Sequence, residues 1–151
     1  MRLTLGLFTI SAVVFGQDLR ISSASAAPGR EVRIEVSLES PPGKEPVALQ
    51  WEMIFPSQLL DPQGDGPEIG GAEGKSDKSV ACALQKPYSY TCVLFGGQKP
   101  IANDLKIIFN FKIRSDARLG PTAIRIQKAE AATADFRRSA LKDAEGTLTI
   151  R

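Results

Sequence analysis

The chain has 151 residues, 42% of them hydrophobic, a formal net charge of +2 and no histidine. That length suits one domain with a substantial core. The near-neutral balance, with few aromatics and none interleaved with Lys or Arg, lacks the clustered basic surface that nucleic acid requires. Without histidine there is no Ser-His-Asp or Cys-His arrangement and no His-based metal centre.

In chain order, Arg2 precedes an apolar run from Leu3 to Phe15, too short for an ordinary transmembrane span. Val14 and Gly16 stand three and one residues before Gln17, the small-residue pattern of a secretory signal peptide cleaved after Gly16. The expected division is therefore a signal peptide over 1–16 and one domain over 17–151. Secretion, extracellular or periplasmic, is the matching expectation, with no membrane span after cleavage. Cleavage removes a single cation, Arg2, so the charge argument is unchanged.

Asp18 to Ala24 reads as a first strand, with Leu19 and Ile21 on one face. After the Pro28-Gly29 turn, Arg30 to Leu38 alternates cleanly, Val32, Ile34, Val36 and Leu38 against Arg33, Glu35 and Ser37. Val47 to Phe55 puts Leu49, Trp51, Met53 and Phe55 on one face, and this only tryptophan is expected as a core anchor. Pro56 ends that strand because it cannot donate to a ladder. Leu59 and Leu60 are expected to enter the core beside it. Asp61 to Ser79 is rich in Gly, Pro and acid and reads as a long surface loop.

Ser79 to Gln85 and Tyr90 to Phe95 flank the turn Lys86-Pro87-Tyr88-Ser89 and form a hairpin. Folding about Pro87 brings Leu84 to Tyr90 and Cys82 to Cys92. In an oxidising compartment that pair is expected as a disulfide, with two buried thiols as the alternative. Leu105 to Arg114 is the longest apolar strand: Leu105, Ile107, Phe109, Phe111 and Ile113 share a face, and only Ile108 breaks the polar one. Such a face needs a second layer. Thr122 to Gln127 follows, then Lys128 to Ala144, where Ala, Glu, Lys and Arg favour a helix but the surrounding turn chemistry favours an irregular β connection. Gly146 to Arg151 closes the chain as a strand. Short alternating strands at regular spacing predict an all-β jelly-roll sandwich of about nine strands.

The order of parts carries a family resemblance. Ala27-Pro28-Gly29-Arg30-Glu31-Val32-Arg33-Ile34-Glu35-Val36 opens it, and Phe55-Pro56-Ser57-Gln58-Leu59 closes the third strand. Leu105 to Arg118, Leu119-Gly120-Pro121-Thr122 and the terminal Gly146-Thr147-Leu148-Thr149-Ile150 complete it. Together these resemble cohesin domains over Asp18 to Arg151. The resemblance implies a jelly-roll shared with bacterial cellulose-binding modules, and a non-enzymatic module that docks dockerin domains in polysaccharide-degrading assemblies. It implies docking on the outer face of a sheet built here from Val47–Phe55, Ser79–Gln85, Tyr90–Phe95 and Thr122–Gln127. Two features depart from the pattern: the Asp usual between the aromatic and Pro56 is absent, and Cys82/Cys92 is not a general cohesin feature.

On this reading the partner-binding residues are Gln50 and Glu52 on the third strand and Tyr88 and Tyr90 at the hairpin, the tyrosines having a capping role as the alternative. No catalytic residue, cofactor or metal is assigned. Asp61, Asp65, Glu68, Glu73 and Asp77 are acidic, but a Gly-rich loop gives them no fixed separation for glycoside hydrolysis. Asp61, Gln63, Asp65 and Gly66 imitate the opening of an EF-hand loop, but Ala72 stands where the bidentate Glu belongs. Direct polysaccharide binding is the alternative function. It predicts a planar row of exposed aromatics.

Overall fold

The computed structural model describes residues 17–71 and 76–151. The expected signal peptide lies outside them. The described residues contain no helix and form two facing sheets, a jelly-roll sandwich as the alternation predicts. Its strands are β1 (Asp18–Ile21), β2 (Ala24–Ala26), β3 (Glu31–Glu39), β4 (Ala48–Ile54), β5 (Leu60–Pro62), β6 (Glu68–Gly70), β7 (Ser79–Lys86), β8 (Ser89–Phe95), β9 (Lys106–Ile113), β10 (Gly120–Ala132), β11 (Arg138–Ala140) and β12 (Ala144–Ile150).

The first sheet runs β1-β3-β9, with β5 and β6 both paired to β9. The second runs β2-β12-β10-β4-β8-β7, with β11 added to β10. The apolar strand read from Leu105 to Arg114 is β9, the centre of the first sheet. Its Ile107, Phe109, Phe111 and Ile113 are buried against Leu49, Trp51, Met53 and Leu94 of the second. Phe111 and Phe55 stack at 5.1 Å between ring centroids. Leu59 and Leu60 are buried as expected.

Four details differ from the sequence reading, each for a local reason. The first strand is split: β1 pairs antiparallel with β3, whereas β2 pairs parallel with β12 in the other sheet. The chain changes sheets at Ser22-Ser23, whose hydroxyls accept from the backbone N–H of Glu35 and Thr147. Gly146 is required at this crossing, because a Cβ there would lie 2.7 Å from the Ser22 carbonyl oxygen. The acidic segment 61–79 is not wholly loop. Its first half gives β5 and β6, which pair with β9 through backbone ladders that need no apolar side-chain pattern.

The strand read as Thr122–Gln127 continues to Ala132 through a bulge. Gln127 pairs with Glu52 and Glu130 with Gln50, so β10 carries one extra residue. Lys128 absorbs it at a positive φ of 51°. Beyond the bulge, β10 and β11 form a hairpin where the composition alone favoured a helix. Pairing with β4 overrides that propensity. With the split strand, β6 and β11 added, and β5 as the short strand at Leu59 and Leu60 that the count of about nine included, the described strands number twelve.

Candidate protein-binding face

The four strands assigned to docking, β10, β4, β8 and β7, are consecutive neighbours in the second sheet. Their outer side chains fall in cross-strand rows. One row is Ala81, Val93, Gln50, Glu130 and Ala140, across β7, β8, β4, β10 and β11. The next is Ala83, Thr91, Glu52 and Gln127. Most of these side chains are small or uncharged.

Gln50 is exposed at the centre of the first row. Glu52 anchors the second. Its carboxylate accepts from Ser89 Oγ at 3.2 Å and Gln127 Nε2 at 3.4 Å, and Lys128 Nζ stands 3.5 Å away. Ser89 is 2% exposed although it points to the outer side, so its hydroxyl satisfies itself on Glu52. The bulge at Lys128 delivers the cation to this acid. Glu52 is thus held in one place by three partners.

Tyr88 lies in the β7–β8 turn, 42% exposed, with Lys86 Nζ 5.8 Å from its ring centroid. It borders a depression shared with Ile54, Gln58 and Arg125 at the far margin of the outer face. Tyr90 is on the other side of the sheet. It packs on Phe55 at 5.5 Å and on Phe109 of the first sheet at 5.9 Å, and burial raises its phenol pKa. The structure therefore brings Gln50 and Glu52 together, sets Tyr88 at the margin and uses Tyr90 as a support beneath. The alternation of β8 carries that signal: Tyr90, Cys92 and Leu94 share one face, and Thr91, Val93 and Phe95 share the other.

Val93 and Phe95 are exposed apolar residues on the outer face that the residue-by-residue reading missed. Val93 belongs to a depression of about 130 Å³ with Ala48, Gln50, Glu130, Ala132 and Arg138. Cys82 and Cys92 form the expected disulfide, which ties the edge strand β7 to β8. Trp51 is 1% exposed, and Tyr88 and Phe95 lie at opposite ends of β8. A planar aromatic row for polysaccharide is not found on this face. Among the described residues no three of His, Cys, Asp or Glu cluster as metal ligands. Asp61 instead faces Arg114, 3.5 Å away.

One sheet of this jelly roll thus leaves an open outer face whose two central rows are mostly small or uncharged. Neither a protein-family model nor a curated protein matches the sequence. Solved structures do. A type I cohesin from a Clostridium thermocellum cohesin–dockerin complex has a TM-score of 0.72 at 19% identity, covering 89% of this chain and 99% of its own. The sixth cohesin of Acetivibrio cellulolyticus scaffoldin B, in complex with a Cel5 dockerin, gives 0.71 at 14%, covering 90% and 99%. A cohesin module from a Clostridium perfringens family 33 glycoside hydrolase gives 0.70 at 11%, covering 89% and 95%. The chain has the cohesin fold.

Proposed function

We propose that this protein is an exported, non-catalytic docking module that takes a dockerin-like protein domain on the outer face of β10, β4, β8 and β7. The observation that carries the reading is the open central face itself. In the cohesin fold these four strands lie side by side, and here their central rows present Gln50, Thr91, Val93, Glu130 and a fixed Glu52. Partners are held by a few desolvated anchors surrounded by small complementary contacts, which such a face provides. The disulfide supports an oxidising location, and with it secretion. Two of the similar cohesins are in complexes with dockerins, which supports the choice of partner class. Assembly of polysaccharide-degrading enzymes is the context this partner implies.

The test is calorimetric titration with dockerin modules encoded in the same genome, once with calcium and once with chelator. Binding is expected, and Gln50→Arg with Glu52→Arg is expected to abolish it while the circular dichroism spectrum holds. A dockerin bound equally well by the double variant would move the site off this face. Titrations silent with every such module would remove the dockerin assignment.

A further inference from the structure

The tip of the β10–β11 hairpin breaks two rules at once. Phe136 is 93% exposed, the most exposed large apolar residue described, and it sits at a positive φ of 65°. A bulky aromatic in the left-handed region is a genuine outlier, and such strain gathers where a side chain must be displayed. The turn around it is not loose. Thr133 N–H donates to the Arg137 carbonyl at 2.9 Å, and Phe136 N–H to the Thr133 carbonyl at 3.0 Å. Thr133 Oγ1 donates to the Asp135 carboxylate, which pairs with Arg137 at 3.1 Å. The ring is held out in water by a rigid loop.

A few residues away, the base of the same hairpin borders the 130 Å³ depression floored by Ala48, Val93 and Ala132. An apolar cavity of about 150 Å³ accepts one benzene ring. Phe136 cannot be filling the depression of its own chain, because nearly all of it faces solvent. Glu130 and Arg138 flank that depression, and among the described residues neither takes part in an ion pair. An apolar knob, an open depression with an apolar floor and a polar rim, and an acid and a base on that rim outside any ion pair form a self-complementary set. A two-fold axis satisfies all of it at once, since a contact from one residue of the first copy to a different residue of the second is then repeated in reverse.

We propose that the occupant of this depression is a second copy of the chain: Phe136 of each copy inserts beside Val93 of the other, and Glu130 of each pairs with Arg138 of the other. The inference is independent of the docking reading. It adds a consequence if that reading holds, because the pairing covers Gln50 and so competes with a docked partner.

Sedimentation velocity on the purified, disulfide-intact chain from roughly 5 to 500 µM spans the range of a small interface. The weight-average mass is expected to climb toward twice that of one chain. Phe136→Gly, which suits a positive φ and cannot harm the core, should hold it at one chain with melting unchanged or raised. Glu130→Arg and Arg138→Glu should each weaken association at least tenfold, and the double exchange should restore it. A single-chain mass throughout would overturn the proposal, and so would association indifferent to Phe136→Gly. Growth beyond a pair would replace the two-fold with a head-to-tail chain and overturn it equally.

Discussion

The two outer faces of the sandwich come from the same alternating pattern and end up opposite in character. On the first sheet the outward residues of β3 are Glu31, Arg33, Glu35, Ser37 and Glu39, facing Lys106, Ile108, Asn110 and Lys112 of β9. Arg20 pairs with Glu39, and Arg33 with Glu35. This is a face that satisfies itself and holds water. On the second sheet the two central rows carry Ala, Thr, Val and Gln, with Glu52 and Glu130 as their charged members. Covering the first face would strip hydration from many long charged side chains, and covering the central rows of the second would strip it from fewer. Burial separates them just as plainly. Ile108 points out of the first sheet yet is only 6% exposed; its side chain lies against Gly70 of the neighbouring strand β6, where a Cβ would come within 2.8 Å of its Cδ1. Val93 points out of the second sheet, and nothing of its own chain covers it to that extent.

Those two residues give the largest contrast to test. Ile108→Ala should destabilise by about 2–3 kcal/mol, since it empties a covered site. Val93→Ala should stay within about 0.5–1 kcal/mol, because an already exposed side chain loses little. Urea denaturation midpoints compare them directly. Equal losses would mean that the second face is as closed as the first, and the docking reading would lose its footing.

The disulfide comes next, and it belongs to only one of the two sheets. Cys82 and Cys92 are 10 residues apart, so the closed loop is short and its contribution is about 2 kcal/mol. The double variant Cys82→Ala with Cys92→Ala should lower the denaturation midpoint accordingly. Amide exchange should rise along β7 and β8 and stay unchanged along β3 and β9. Uniform loosening would show that the bridge serves the whole sandwich instead of the edge of the docking sheet.

Much of this division was legible in the sequence, and the misses have physical causes. Period-two alternation located β3, β4 and β9 within a residue or two, and the faces of Trp51 and Phe111 followed from it. The same rule, applied from Cys92 outward, places Tyr90 inside and Val93 outside. β6 escaped notice because it is held by a backbone ladder on β9, with Gly in place of an apolar code. The bulge escaped because no local signal demands a positive φ at Lys128. It exists to keep both Gln127 and Glu130 in register with β4. Phe136 gave no warning either, since a single Phe in a polar stretch reads as core until the hairpin puts it at a tip.

A smaller effect sharpens the account of the first face. Arg20 and Glu39 are both more than half exposed, and an exposed pair of this kind contributes about 0.2–1 kcal/mol. Arg20→Ala should therefore fall within that range and fade in high salt. A loss as large as that of Ile108→Ala would mean that the charged face is structural rather than merely solvated.

The least costly change concerns the loop that displays Phe136, and pH reaches it without a mutation. The Asp135 carboxyl is held below its ordinary value of 3.8, first by the hydroxyl of Thr133, with Arg137 helping. A depressed carboxyl supports the folded turn fully above the unfolded value and loses that support as pH falls through the folded one. Carboxyl chemical shifts followed from about pH 6 to about pH 2 should therefore show Asp135 titrating late among the acids. Protection of the Phe136 amide should fall in the same window while β12 stays intact. Thr133→Val should return the titration toward 3.8 and loosen the turn at neutral pH. If the turn is what makes Phe136 an effective knob, self-association should weaken in that variant with the aromatic ring still present. Association that survives a loosened turn would assign the contact to the ring alone and leave the positive φ without a role.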